Sequence, residues 1–196
     1  MRLSKIDNPE HPEAVKAYEK SKTYFGKVIT PIKVVYARVP SIFKVSNALN
    51  EFFFNGTTVN KNILGLVKGY TAVINNCKFC IDIGRSLIQN DKKLLLKYDN
   101  LTNSDLDESL YETNELAALH YAEEATKYRM VSDKTFKELH NYFSDNEIAE
   151  IVLTCAIENY YNVINTSLEI ESDHLSTYEQ ENSLSNQNKF ENEKYQ

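Results

Sequence analysis

Two cysteines separated by two residues, in the run Cys77-Lys78-Phe79-Cys80, are the part of this sequence best suited to chemistry. A pair at this spacing can close a disulfide. A thiol near a helix N-terminus has its thiolate favoured by the exposed backbone N–H groups, with pKa values of roughly 3.5–7.5 in such settings. Lys78 and Arg85 could add positive potential. The pair alone is also compatible with half of a zinc site, or with two buried thiols packed as small apolar residues. Zinc would need two more ligands, yet Cys155 is solitary and His11, His120, His140 and His174 show no ligand-type spacing, so no metal site is assigned. No cofactor is assigned either. A thioredoxin-like fold would surround the pair with alternating strands and helices. That pattern is absent, so any redox chemistry must be carried by a helical fold.

The elements that must position the pair read as helices throughout. Residues 13–25 form an amphipathic helix that Gly26 can end, and Thr30-Pro31 opens a short one that Pro40 limits to about 32–38. From Ser41, apolar residues at three- and four-residue steps continue to Phe53, where Asn55-Gly56 breaks them. Asn60 caps a strongly apolar segment that runs straight into the cysteine pair and belongs in the middle of the fold. A shorter helix over 91–98 precedes a polar loop, 99–109, and a further helix covers 112–129. Ser132 caps a helix through Phe143, and Ser144 with Glu147 makes a capping box for a long helix to about Leu168.

The chain of 196 residues suits one domain, taken as 1–171, followed by a polar and flexible tail, 172–196, rich in Ser, Asn, Gln and Glu. The net charge of −6 and the interleaving of basic with acidic residues exclude a nucleic-acid footprint. No stretch reaches the roughly 18 apolar residues of a membrane span, and the first residues contain no apolar run of signal type. The expectation is a cytoplasmic protein without a membrane partner. With three cysteines, a secreted disulfide scaffold is not indicated.

The order of local cues carries a resemblance. Ala37-Arg38-Val39-Pro40 breaks a helix, Gly56-Thr57 makes a turn, and an apolar helix leads to Cys77 and Cys80. Later come the helix around Tyr121-Ala122-Glu123, the cap Val131-Ser132-Asp133 and the capping box Phe143-Ser144-Asp145-Asn146-Glu147-Ile148. Over about residues 6–173 the chain resembles the alkylhydroperoxidase D-like, peroxidase-related branch of the carboxymuconolactone decarboxylase superfamily. The resemblance implies an all-α domain that assembles as a homo-oligomer. It also implies a CxxC pair that reduces peroxides, or that relays electrons to a peroxiredoxin from a thiol donor such as a lipoyl group. By the same resemblance Cys80 matches the peroxide-reacting cysteine and Cys77 the resolving one.

Two positions depart from the family pattern. Its proton relay uses a Glu twelve residues before the first cysteine and a His four residues after the second, which here are Gly65 and Gly84. General acid–base help is worth about 10²- to 10⁴-fold, so its loss bears directly on turnover. Gly65 and Gly69 could let the apolar helix approach Gly84 closely, or the glycines could leave a cavity lined by other groups. On the last helix Ile151, Cys155, Glu158 and Asn162 fall on one stripe, which makes Glu158 the best substitute base; paired or exposed, it would be structural instead. Asp82 is expected to be a surface or interface charge, Lys68 to snorkel, and Tyr70, His120 and Cys155 to pack. Two functions remain in view: a thiol-dependent antioxidant enzyme with a modified relay, and a non-catalytic oligomeric binding or scaffold protein on the same fold. Lactone decarboxylation is disfavoured, because that chemistry does not use a CxxC pair.

Overall fold

A computed structural model describes residues 1–103 and 106–176. Among them are eight α-helices and no strand. They are α1 Pro12–Phe25, α2 Ile42–Asn55, α3 Lys61–Ile74, α4 Lys78–Ile88, α5 Lys92–Asn100, α6 Thr113–Tyr128, α7 Asp133–His140 and α8 Asp145–Ser167. The caps follow from the sequence. Asn60 Oδ1 accepts from Asn62 N at 2.8 Å, Asp91 Oδ1 from Leu94 N at 3.0 Å, and Ser144 with Glu147 forms the expected box before α8.

Two boundaries differ from the sequence reading, and a third, the division of the apolar run at the cysteine pair, falls where the order of cues implies. The helix expected over 32–38 is a single π-type turn, Ile32–Tyr36. The helix expected to reach Phe143 ends at His140, and Phe143 is buried in the core instead. The long apolar run is two helices. Asn76 takes a left-handed conformation (φ 52°), which Asn tolerates better than most residues, and Cys77 starts α4 in a new direction.

The core is built around α3. Ile63, Leu64 and Val67 of α3 pack with Ala117, Ala118 and Ala122 of α6 and with Ile148, Ile151 and Cys155 of α8. Alanines on the buried face of α6 let its neighbours close in. α2 contributes only Phe43 to the buried core, and its Val45 and Phe54 are exposed. No helix among the described residues is long and apolar enough to cross a membrane.

The relation between α3 and α4 depends on a third helix. Tyr98 of α5 is almost fully buried, and its ring fills the slot beside Gly69 and Gly84. A Cβ on Gly69 would lie 2.4 Å from Cε2 of that ring, and one on Gly84 would lie 2.1 Å from its hydroxyl oxygen. At Gly65 an added Cβ would meet nothing within 4 Å. The two alternatives of the sequence reading are therefore divided between the glycines: two of them admit a tyrosine ring, and the third faces open space.

Opposite responses are expected to alanine at these positions. Gly65→Ala should raise the thermal midpoint, because replacing a mid-helix glycine gains about 0.5–1 kcal/mol where the new methyl meets nothing. Gly84→Ala should lower it, since overpacking of about 1–3 kcal/mol outweighs that gain, and Tyr98→Phe in the same chain should restore part of the loss. Equal shifts of the same sign at the two glycines would contradict this packing.

Candidate functional site

Cys77 is the N-cap of α4 and Cys80 lies in its first turn, and the two form a disulfide with a Cα–Cα distance of 5.3 Å. Both are buried, at 1% and 6% exposure. Val34, Ala72, Phe79 and Ile170 surround them. One polar side chain reaches in: Asn165, near the end of α8, donates from Nδ2 to Cys80 Sγ at 3.2 Å. Its Oδ1 is buried and has no hydrogen-bond partner among the described residues. The stripe of α8 identified in the sequence is buried as expected, and three residues beyond Asn162 it reaches Asn165, which the sequence reading missed.

The segment after α8 folds back over the pair. Ile170 packs against the cysteines, and Glu171 forms an exposed ion pair with Lys78 at 2.8 Å. The Asp173 carboxylate accepts from Thr30 N and Oγ1, each at 2.6 Å. Asp82 accepts from Leu175 N at 3.0 Å and from Ser176 N and Oγ at 3.2 Å. Asp82 is thus buried and not the surface charge expected from its place two residues after Cys80, because its partners lie more than ninety residues away in sequence. Packed chain continues past the expected boundary at 171/172 to Ser176, and the remainder of the expected tail, 177–196, lies outside the described residues. The expected positive potential is also partly cancelled: Lys78 meets Glu171, and Arg85 makes a two-point pair with Asp99 at 2.8 and 3.0 Å.

Glu158 is buried, and burial pushes its carboxyl above the usual range, against the opposing influence of Lys68 and of the Asn162 amide. Asn162 Nδ2 donates to Glu158 Oε1 at 2.7 Å, and Asn162 Oδ1 accepts from Asn75 Nδ2 at 2.9 Å. Glu158 therefore belongs to a polar network joining α8 to the end of α3. Seven residues, about 10 Å of helix axis, separate it from Asn165, the residue that touches Cys80. The Tyr98 hydroxyl, at the position that a side chain on Gly84 would occupy, donates to Ile81 O at 3.2 Å. Burial raises its pKa, and the negative charge of Glu158 adds to the effect.

The remaining candidates stand elsewhere. Lys68 Nζ lies 4.3 Å from the centroid of the Phe53 ring, as a snorkelling lysine would. His120 lies between Glu108 and Glu138 on a partly exposed face in the middle of α6. Tyr70 is half-buried near Glu123 and Lys127. Cys155 is buried in the main core within reach of the Thr71 and Thr126 hydroxyls. Among the described residues no group of three or more His, Cys, Asp or Glu could hold a metal ion.

The sequence matches no protein-family model and no curated protein. Solved structures do match. A protein of unknown function from Agrobacterium tumefaciens, with a proposed role in antioxidant defence as an alkylhydroperoxidase D, is 24% identical with a TM-score of 0.64, covering 71% of this chain and 96% of its own. An uncharacterised peroxidase-related protein from Ralstonia eutropha JMP134, described as an alkylhydroperoxidase D core, is 17% identical with a TM-score of 0.73, covering 90% and 96%. The debrominase Bmp8, solved with 2,3,4-tribromopyrrole, is 13% identical with a TM-score of 0.73, covering 93% and 97%. At these identities the likeness establishes the fold. The chain has the all-helical fold of the alkylhydroperoxidase D-like, peroxidase-related proteins.

Proposed function

We propose that this protein is a thiol-dependent antioxidant oxidoreductase that reduces peroxides or disulfides by cycling Cys77 and Cys80 between dithiol and disulfide. The observation that carries the reading is the bonded pair at the N-terminus of α4, on a fold shared with peroxidase-related proteins. In the reduced state Cys80 is the attacking thiolate, favoured by the N-terminal end of α4. With a peroxide, Cys80 takes the terminal oxygen and becomes a sulfenic acid, and the other oxygen leaves and is protonated to an alcohol. The Cys77 thiol then displaces water from Cys80 and closes the disulfide. A thiol donor of the lipoyl class, or a peroxiredoxin partner, exchanges electrons with the pair.

Two further features belong to this reading. Exposed apolar side chains on α2, including Val45 and Phe54, and on α8, including Leu153, Tyr160 and Val163, support assembly as a homo-oligomer. Glu158 is the substitute base; since it does not touch sulfur, it acts through an intervening group. A second reading is favoured by the burial of both sulfurs beneath residues 168–176: a non-catalytic oligomeric scaffold whose cysteines are structural.

Peroxidase and disulfide-reductase assays on the wild type beside Cys80→Ser separate the two readings. The enzyme reading expects turnover in the wild type, none in Cys80→Ser, and a rate that rises with pH through the cysteine pKa without a histidine-like step near about 6.5. Cysteines that resist alkylation and never cycle, with no turnover, would leave the scaffold. Light scattering at micromolar concentration should give a mass above that of the monomer.

Glu158→Gln has a stability signature as well. The carboxyl of Glu158 is raised in the folded state, so its contribution to stability is intact below the unfolded value of about 4.3 and is lost as pH rises through the folded value. The glutamine variant should therefore gain in thermal midpoint relative to wild type as pH rises from about 4 to about 8. A difference that stays flat with pH would mean that Glu158 is not held in its neutral form. Unchanged peroxide reduction and unchanged thiol alkylation in this variant would remove Glu158 from the mechanism.

A further inference from the structure

The group in contact with the sulfur of Cys80 is an amide, and the chemistry of sulfur fixes which way that amide points. A disulfide sulfur carries no hydrogen, so in the 3.2 Å contact Asn165 Nδ2 must donate, and Oδ1 is left to accept from another group. Asn165 is 4% exposed and Oδ1 has no partner among the described residues, although buried acceptors are nearly always paired because an unpaired one is costly. The backbone carbonyl of Asn165 accepts from Ile170 N at 2.9 Å where the chain turns back over the cysteines. The result is a donor on the nucleophilic sulfur and, on the same planar group, an unused acceptor.

We infer that Asn165 is a catalytic residue of this site: its amide N–H holds the Cys80 thiolate, and its Oδ1 accepts a hydrogen bond from the O–H of a hydroperoxide. The inference rests on the cysteine-cycling reading above and adds to it a residue that contacts both reactants. A hydroperoxide has a hydrogen to give to Oδ1, whereas a disulfide substrate has none. The Cys80 thiolate attacks the O–H oxygen held by Oδ1, forming the S–O bond as the O–O bond breaks. The departing alkoxide takes a proton from water, and Cys80 is left as the sulfenic acid. The Cys77 thiol attacks Cys80, forming the S–S bond and breaking S–O, and the hydroxide leaves as water with the thiol proton. The cysteine pair loses two electrons and the hydroperoxide gains them.

Hydrogen bonding to the charged form of a group favours that form, so Asn165 should lower the ionisation midpoint of Cys80. Other titratable groups stand on the elements around the pair: Cys77 and Asp82 on α4, Tyr161 and Glu158 on α8, Tyr98 on α5, Lys68 on α3, and Asp173 with the Lys78–Glu171 pair at the rim. Of these, the Tyr161 phenol is pushed up to about 12 by burial. All of them are retained in the variants below, so a difference in midpoint belongs to Asn165.

The test is the pH dependence of Cys80 alkylation in the reduced full-length protein, with the modified cysteine identified by peptide mass. Asn165→Leu removes donor and acceptor at similar volume, and Asn165→Ala removes them without adding a charge; should the leucine variant not fold, the alanine variant carries the measurement. Both should raise the midpoint by about one unit, a roughly tenfold slower reaction below it, with the high-pH plateau unchanged. A change of packing or access alone would move the plateau and leave the midpoint in place, and that result overturns the assignment. Above all the midpoints, Asn165→Leu should still raise KM for tert-butyl hydroperoxide more than it lowers kcat. An unchanged KM there overturns the docking role of Oδ1. If the wild type cycles its cysteines and shows the midpoint effect but reduces no hydroperoxide, peroxide reduction and the docking role fall together, and the hold on the thiolate is supported.

Discussion

The ring of Tyr98 sets the geometry on which the rest of this structure depends. α3 carries the centre of the core and α4 carries the cysteines, and the chain between them turns in three residues through the left-handed Asn76. So short a turn leaves the spacing of the two helices to whatever fills the slot between them. Gly69 and Gly84 open that slot, and the ring from α5 occupies it with the hydroxyl bonded to the carbonyl that follows Cys80. A side chain at position 84 and this tyrosine exclude one another. Gly84 is therefore part of the packing and not a vacancy.

A second consequence follows from the polar groups enclosed around the slot. Burial penalises ionised forms, and here it acts on Glu158 and on the Tyr98 phenol in the same direction, keeping both protonated to higher pH. Asn75, Asn162 and Asn165 supply amides, which orient and donate but do not titrate. Chemistry in such a site has to draw its reactivity from the thiolate itself, favoured by the end of α4 and by an amide donor.

The closure of the site comes from residues after α8. Backbone N–H groups of residues 175 and 176 satisfy Asp82, and Asp173 satisfies the start of the turn at Thr30, so two buried carboxylates are paid for by hydrogen bonds that also tie down the chain over the cysteines. The arrangement couples the exposure of the disulfide to the attachment of this segment. A protein of the same fold that lacked such a return would present its cysteines directly to solvent.

Much of this was legible in the sequence because it is local. Helix periods, the Asn60 and Ser132 caps, the Ser144–Glu147 box, the CxxC spacing and the buried stripe of Ile151, Cys155, Glu158 and Asn162 all depend on residues within a few positions of one another. Extending that stripe by one more step would have reached Asn165. Other features could not be found in this way. The Cys80 contact spans 85 residues and the Asp82 contacts more than ninety, and no local pattern marks Tyr98 as the side chain that answers two glycines on other helices. The sequence by itself determined the helices, most of their caps and the spacing of the cysteine pair, since backbone hydrogen bonding and side-chain spacing act over a few residues. Only the tertiary structure decided what touches the sulfur, what fills the relay positions and what covers the site, because those contacts exist only once helices distant in the chain have packed.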